Sequence, residues 1–353
     1  MLTIFAGKKA QQIIHKHGFV PELFHTILGA SGGPKWFVLA GLDRVIVPEF
    51  FASSTHAVDI VGTSAGAFRS ACLTQANPLS AINRLAHHYS QTTYCEQPTP
   101  SDISHSAREI LDVMLGEHGV DEILHNPRFF AHFITARTTG LTRFEQKHKQ
   151  LLGLLTSATG NWFSRKHLKR FYERVTFGTR KIDFFDPSDL GNTYIPMSQA
   201  NLADALLASG SIPMVMEGIR DIAGAPNGMY RDGGIIDYHF DLKVLAPKPQ
   251  DALTLYPHFY ANPIPGWFDK HLKGRTPHTA SYEHTVMLVP SDEFVAALPY
   301  GKISDRKDFQ NIPAQERIKY WQTILSESDR LGELFMQWTA SGEIIDKMQD
   351  FQF

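Results

Sequence analysis

The chain carries one short pattern twice, Gly-x-Ser-x-Gly, as Gly29-Ala30-Ser31-Gly32-Gly33 and as Gly62-Thr63-Ser64-Ala65-Gly66. Each copy follows an apolar run and precedes a stretch of helical character. Phe24 to Leu28 and Ala57 to Val61 read as buried strands, the second apolar apart from Asp59. After the first turn, Phe37, Val38, Leu42, Val45 and Ile46 recur at helical intervals within Lys35 to Phe51. After the second comes a helix of small residues that includes Cys72. Strand, glycine turn, helix, strand, glycine turn, helix is the sequence form of a right-handed βαβ unit with parallel strands. Gly33 lies 31 residues before Ser64, close to the ~30 that such a unit takes. Both turns therefore open at one edge of a sheet, the carboxyl edge, where ligand sites of parallel sheets lie.

The rest of the chain is compatible with an α/β class. A third helix is expected from about Leu79 to Tyr89, and helices dominate beyond residue 100. Strands are expected at Phe129 to Ala136, Gly228 to Arg231, Ala252 to Tyr256 and Thr285 to Val289. Asn201 to Ser209 reads as a helix stopped by Gly210 and Pro213, and Gln315 to Ser341 as an amphipathic helix or helix pair. At 353 residues the chain exceeds the roughly 250–300 at which single cores stop growing. The Pro-rich stretch from Pro247 to Pro265 is the candidate boundary, separating a core of residues 1–246 from a C-terminal extension of residues 247–353 packed on it.

Composition removes several function classes. Lys plus Arg number 34 against 36 acids, so no global basic field exists to hold a nucleic-acid backbone. Two cysteines, Cys72 and Cys95, make no disulfide framework and fit a reducing, cytoplasmic setting. Trp36 to Val47, the longest apolar-rich stretch, is interrupted by Asp43 and Arg44 and is far short of the ~20 residues of a bilayer span. Lys8 and Lys9 end the weakly apolar start too soon for a signal-peptide core. His15-Lys16-His17 and His87-His88 lack partners at metal-binding spacing, so neither a metal nor a cofactor is expected.

The chemistry concentrates in the glycine turns. Gly62-Thr63-Ser64-Ala65-Gly66 matches the nucleophile elbow, in which a serine on a sharp strand-to-helix turn needs small residues two before and two after. Its oxygen would project over a helix N-terminus, where unpaired N–H groups favour a developing negative charge. The Ser31 turn fits the same pattern, and pattern alone does not choose between the two serines. The adjacent glycines Gly32 and Gly33 are better suited to presenting bare N–H groups, because no Cβ blocks approach. Ser64 is then the nucleophile, Gly62 and Gly66 its elbow glycines, and Gly32 and Gly33 the oxyanion hole, together with Ala65. A phosphate-cradling turn using Lys35 is the competing reading, but the Walker spacing is missing. Serine needs a base. Asp232, in Asp232-Gly233-Gly234, is the candidate carboxylate, although Asp-Gly is also a plain turn signal. His239, His278 and His284 fall late enough to complete a Ser…Asp…His order.

Three segments in order, Gly29-Ala30-Ser31-Gly32-Gly33-Pro34-Lys35, Gly62 to Gly66 and Asp232 to Gly234, resemble the patatin-like phospholipase family of serine lipid acyl hydrolases. A fourth, Ala205 to Pro213, is similar to that family's alanine-rich helix and Ala-Ser…Pro segment. The resemblance spans roughly residues 24 to 240. It implies a three-layer α/β/α sandwich with a mostly parallel sheet. It also implies a Ser–Asp dyad without histidine, Ser64 and Asp232, and an oxyanion hole at Gly32-Gly33 with Lys35 near the family's basic position. The glycine loop departs from the family pattern, beginning Gly-Ala-Ser and ending Lys-Trp. A lipid or other carboxylic ester would be the substrate, and no oligomeric state is implied. A Ser–His–Asp esterase of small esters and a non-catalytic acyl-binding protein are the other two readings.

One further stretch bears on lipid. Between Leu141 and Arg180 stand nine basic residues, Arg143, Lys147, Lys149, Arg165, Lys166, Lys169, Arg170, Arg174 and Arg180, against Glu145 and Glu173. Trp162, Phe163, Leu168, Phe171 and Tyr172 interleave with them, as in a basic amphipathic face for an anionic membrane surface. A solvated basic helix with core aromatics is the plainer alternative. Trp267-Phe268 beside Lys270 and Lys273 is a second, fainter interfacial candidate.

Overall fold

In the computed structural model, which describes residues 1–353, each glycine turn sits at the carboxyl end of a parallel strand. The strands are β1 (Leu2–Ala6), β2 (Phe24–Gly29), β3 (Val58–Thr63), β4 (Phe129–Thr138), β5 (Tyr172–Gly178), β6 (Asp183–Phe185), β7 (Thr193–Pro196), β8 (Ile219–Arg220), β9 (Met229–Asp232), β10 (Lys243–Leu245), β11 (Leu253–Pro257), β12 (Thr285–Pro290) and β13 (Met348–Gln349). One sheet of eleven runs β13-β1-β12-β11-β2-β3-β4-β5-β7, with β9 joined to β4 and β8 to β9; β6 and β10 form a separate ladder. From β12 through β11, β2 and β3 to β4 every pairing is parallel. The antiparallel pairs β1–β12 and β4–β5 flank that block. Every residue of β3 is buried, Asp59 included, as befits a parallel strand covered on both faces by helices. Asp59 is held there by His132 Nε2 at 2.8 Å and by the Arg180 guanidinium.

The C-terminal third joins this architecture directly. β11 and β12 lie between β1 and β2, so the expected boundary at residue 246 falls inside one continuous sheet. One apolar core likewise runs from Leu2 to Ile344. The expected C-terminal helix is a pair, Ala314–Glu327 and Asp329–Ser341, and its second member packs on Ala40–Val45.

The stretch after the first turn departs from a regular helix. It opens as a tight 3₁₀ run, Gly33–Leu39, continues as α-helix over Ala40–Val45 and closes as a π turn over Ile46–Phe50. Pro48 has no N–H to donate, and the Phe51 N–H reaches back five residues to the Ile46 carbonyl at 3.0 Å. No helix is long and apolar enough to cross a membrane.

Candidate active site

β4 brings the two halves of the site together. β3 pairs along one edge of β4 as far as Thr63 opposite Ile134. β9 pairs antiparallel with the next residues, starting with Asp232 opposite Thr135. Because β5 occupies the other edge over residues 132–138, β9 must continue the line of β3. The end of β9 therefore abuts the end of β3, and Asp232 faces the residue that follows Thr63. That residue is Ser64.

The elbow is strained in the way its motif requires. Ser64 has φ 53° and ψ −127°, and the helix Ala65–Leu73 begins at the next residue. A side chain held in such a sparsely populated region costs roughly 1–3 kcal/mol. The glycines permit the close passage of helix and strands: a Cβ on Gly66 would lie 1.8 Å from the Gly29 carbonyl oxygen, and one on Gly62 would lie 2.2 Å from that of Gly66. Behind the elbow, Asp43 accepts two hydrogen bonds from Arg69, both at 2.7 Å, and so locks the elbow helix to its neighbour.

Ser64 Oγ donates to Asp232 Oδ2 at 2.8 Å, and Asp232 Oδ1 accepts the Gly234 N–H at 2.7 Å. The Asp232 N–H bonds the Ser211 carbonyl at 3.0 Å. Ser64 and Asp232 are each only 6% exposed. Burial pushes the Asp232 carboxyl up to about 6, while the hydrogen bonds from Ser64 and Gly234 and the charges of Lys270 and Arg306 hold it down. At neutral pH the carboxylate is mostly ionised.

The first turn lies beside the second because Gly29 is in register with Gly62. Gly33, at φ +56°, opens the 3₁₀ run and Ala65 opens the elbow helix. The first N–H groups of a helix have no intrahelical acceptor, which leaves these two as donors at one sheet edge. A Cβ on Gly32 would strike the Phe259 ring at 2.6 Å. Lys35 is arranged differently from its neighbours in the loop. Its N–H closes the turn onto the Gly32 carbonyl at 3.3 Å, and its ammonium pairs with Asp305. Ser31 is buried, with its N–H on the Tyr238 carbonyl at 3.0 Å and its Oγ 2.7 Å from Thr63 Oγ1. Thr63 Oγ1 in turn donates to the Asp237 carbonyl at 3.0 Å, so the Ser31 hydroxyl donates to Thr63 and clamps both turns to the Asp232 loop.

The three late histidines lie elsewhere. His239 Nδ1 accepts the Ile264 N–H at 2.9 Å, and burial pushes its pKa well down. His278 bonds Asp241 at 2.7 Å, and His284 lies 3.2 Å from the Lys243 ammonium. None hydrogen-bonds Ser64 or Asp232.

Two supports escape sequence reading. Ser209 accepts the Ser64 N–H at 3.0 Å and donates its own hydroxyl to the Ile134 carbonyl at 2.7 Å, so the alanine-rich helix Leu202–Gly210 holds the elbow in place. Arg174 forks onto Asp237 at 2.6 and 2.8 Å and also pairs with Asp186 at 2.9 Å, bracing the loop that carries Asp232. In the sequence, Arg174 counts merely as one more cation in a basic run. No group of three His, Cys, Asp or Glu side chains is arranged to hold a metal ion.

A family model described as patatin-like phospholipase matches residues 54–239, more than half of the chain. The chain belongs to the patatin-like phospholipase family. The matched span contains both Ser64 and Asp232. Among solved structures it is similar to VipD from Legionella pneumophila, at 11% identity and a TM-score of 0.31, over 67% of this chain and 50% of that one. The chain thus spans half the length of that protein. No curated protein matches it in sequence.

Proposed function

We propose that this patatin-like protein hydrolyses carboxylic esters of lipids through an acyl-serine intermediate, with Ser64 as nucleophile and Asp232 as its base. The observation that carries this reading is the 2.8 Å hydrogen bond from Ser64 Oγ to a buried carboxylate with a raised pKa. In the first half-reaction Asp232 takes the Ser64 proton as Oγ attacks the ester carbonyl. The oxyanion forms against the N–H groups of the Gly32-Gly33 loop and Ala65. Collapse of the tetrahedral intermediate expels the alcohol, which leaves with the proton held on Asp232. In the second half-reaction the same carboxylate deprotonates water, which attacks the acyl group and frees Ser64. Ser31 and Lys35 have positioning roles, the first through Thr63 and the second through Asp305. A His-based triad finds no support, since His239, His278 and His284 are bonded to other groups.

The test is active-site labelling with a fluorophosphonate, followed by mass spectrometry, beside p-nitrophenyl ester hydrolysis by Ser64→Ala, Asp232→Asn and His239→Ala. The reading expects the adduct on Ser64 and loss of turnover in the first two variants alone. An adduct on Ser31, or a dead His239→Ala with near wild-type Asp232→Asn, would overturn it.

A further inference from the structure

The helix Lys147–Phe163 is amphipathic in the wrong sense for a water-soluble surface. Its buried residues are Gln150, Gly153, Leu154, Ser157 and Asn161. Its outward face carries Leu151, Leu152, Leu155, Trp162 and Phe163, which are 47, 52, 56, 67 and 74% exposed. An ordinary surface helix turns its apolar stripe inward.

The inward face explains half of this inversion. Its polar groups fasten the helix to the loops around Asp232. Gln150 Oε1 accepts the Met214 N–H at 2.9 Å, three residues past the Ser211 carbonyl that holds the Asp232 N–H. Asn161 Nδ2 donates to Asp269 at 2.7 Å. Asp269 also receives Arg165 at 2.6 Å, and Arg165 donates to the Ile236 carbonyl at 2.8 Å, four residues beyond Asp232. These bonds tie the helix to the segments that flank Asp232 and fix which face it turns outward.

The outward face has no partner within the chain, and its charge says what it fits. Arg143 and Lys147 stand exposed at one end of the helix, and Lys166, Lys169 and Arg170 at the other. Only Lys169 among these five forms an ion pair, with Asp189 at 3.6 Å; Glu145, between Arg143 and Lys147 in sequence, is turned to Arg231. The first turn of the helix holds no acid, and lysine there opposes the helix dipole, so helix stability does not account for that charge. Apolar side chains flanked by cations match the boundary between acyl chains and anionic headgroups. A second copy would bring the same basic surface against itself. Part of the basic run does not share in this surface: Arg165 and Arg174 are buried in ion pairs and Arg180 is bound to Asp59. Leu168 and Tyr172 are core residues.

We propose that the outward face of the Lys147–Phe163 helix docks this protein on an anionic lipid surface, with Trp162 and Phe163 inserted and the flanking lysines and arginines on the headgroups. This deepens the acyl-hydrolase reading, but its test does not need catalysis. The Ser64→Ala protein is floated with vesicles of phosphatidylcholine alone and of phosphatidylcholine with phosphatidylglycerol, across a salt series. The expected result is binding to the anionic vesicles that falls steeply with salt, as exposed charges are screened within about 8–10 Å. Adding Trp162→Ala with Phe163→Ala, or Lys166→Glu with Lys169→Glu and Arg170→Glu, should lower vesicle partition at least about tenfold. Put into the Ser64-containing protein, the same sets should leave hydrolysis of a soluble short-chain ester unchanged.

Equal binding to both vesicle types, or unaltered binding by the Trp162/Phe163 variant, would overturn the proposal. So would a dimer in solution that this variant dissociates, which would identify the face as a contact between copies. Parallel loss of binding and soluble-ester turnover would make the segment structural and equally end the proposal. Vesicle binding by a protein that hydrolyses no ester would leave the docking surface standing and remove the acyl-hydrolase reading instead.

Discussion

Ser31 and Ser64 stand at matched places, two residues past glycines that face each other across β2 and β3. Ser64 is thrown into positive φ, because the helix starts at Ala65, and its hydroxyl meets a carboxylate. Ser31 keeps negative φ, since Gly32 stands between it and the 3₁₀ run that opens at Gly33, and its hydroxyl is tied to Thr63. The difference does not come from the five-residue pattern. β9 continues the line of β3 and has no counterpart at the end of β2, so only the second turn receives an aspartate. A Gly-x-Ser-x-Gly turn makes a serine available; the strand abutting it decides whether that serine meets a carboxylate.

Ser64→Ala should abolish turnover of a soluble ester, since no covalent route remains; residual burst kinetics in that variant would move the nucleophile to Ser31. Asp232→Asn keeps the shape and removes the proton acceptor, and kcat should drop by at least ~10². If its rate stayed within a few-fold of wild type, the two serines would differ in strain only and not in chemistry.

Gly66→Ala tests the packing that makes the elbow. Its Cβ would collide with the Gly29 carbonyl at 1.8 Å, so unfolding free energy should fall by about 1–3 kcal/mol or more. Gly274→Ala is the control, because nothing lies within 4 Å of that position, and an equal loss in both variants would refute the close-approach argument.

The Asp232 carboxyl should leave a signature in the pH dependence. With Asp232 at about 6, kcat/KM should decline below that pH as the carboxylate takes a proton. A limb near 4 would place the base elsewhere. The stability consequence has the opposite direction. The folded value lies above the 3.8 of an ordinary aspartate, so the native state is favoured below pH ~4 and loses that contribution as pH rises through 6. Asp232→Asn should therefore be more stable than wild type at pH 8, by about 1–3 kcal/mol, with the gap closing by pH 4 in denaturant titrations. The smallest effect belongs to Ser31→Ala, which removes the clamp through Thr63 and should slow turnover less than about tenfold. Complete inactivity there would undo the distinction between the turns.

What the sequence determined is what local pattern encodes. The apolar runs before the glycines marked β2 and β3, their spacing made them parallel neighbours, and β4, β9, β11 and β12 were each visible as strands within one to two residues of their ends. Periodicity reports which residues of a segment are buried, and glycine spacing reports where the chain turns sharply. Neither reports which distant segment arrives alongside. The resemblance to a known family singled out Ser64 and Asp232, but their meeting is a contact across 168 residues set by the register of β9 on β4. Ser209 reaches Ser64 across 145 residues, and the placement of β11 and β12 beside β2 and β1 is equally long-range. The helix Lys147–Phe163 shows the limit most clearly: from the sequence, Trp162 and Phe163 fit either a lipid-facing surface or a core. Only the tertiary structure turns them outward, because Gln150 and Asn161 find their hydrogen-bond partners in loops that belong to Met214 and Asp269.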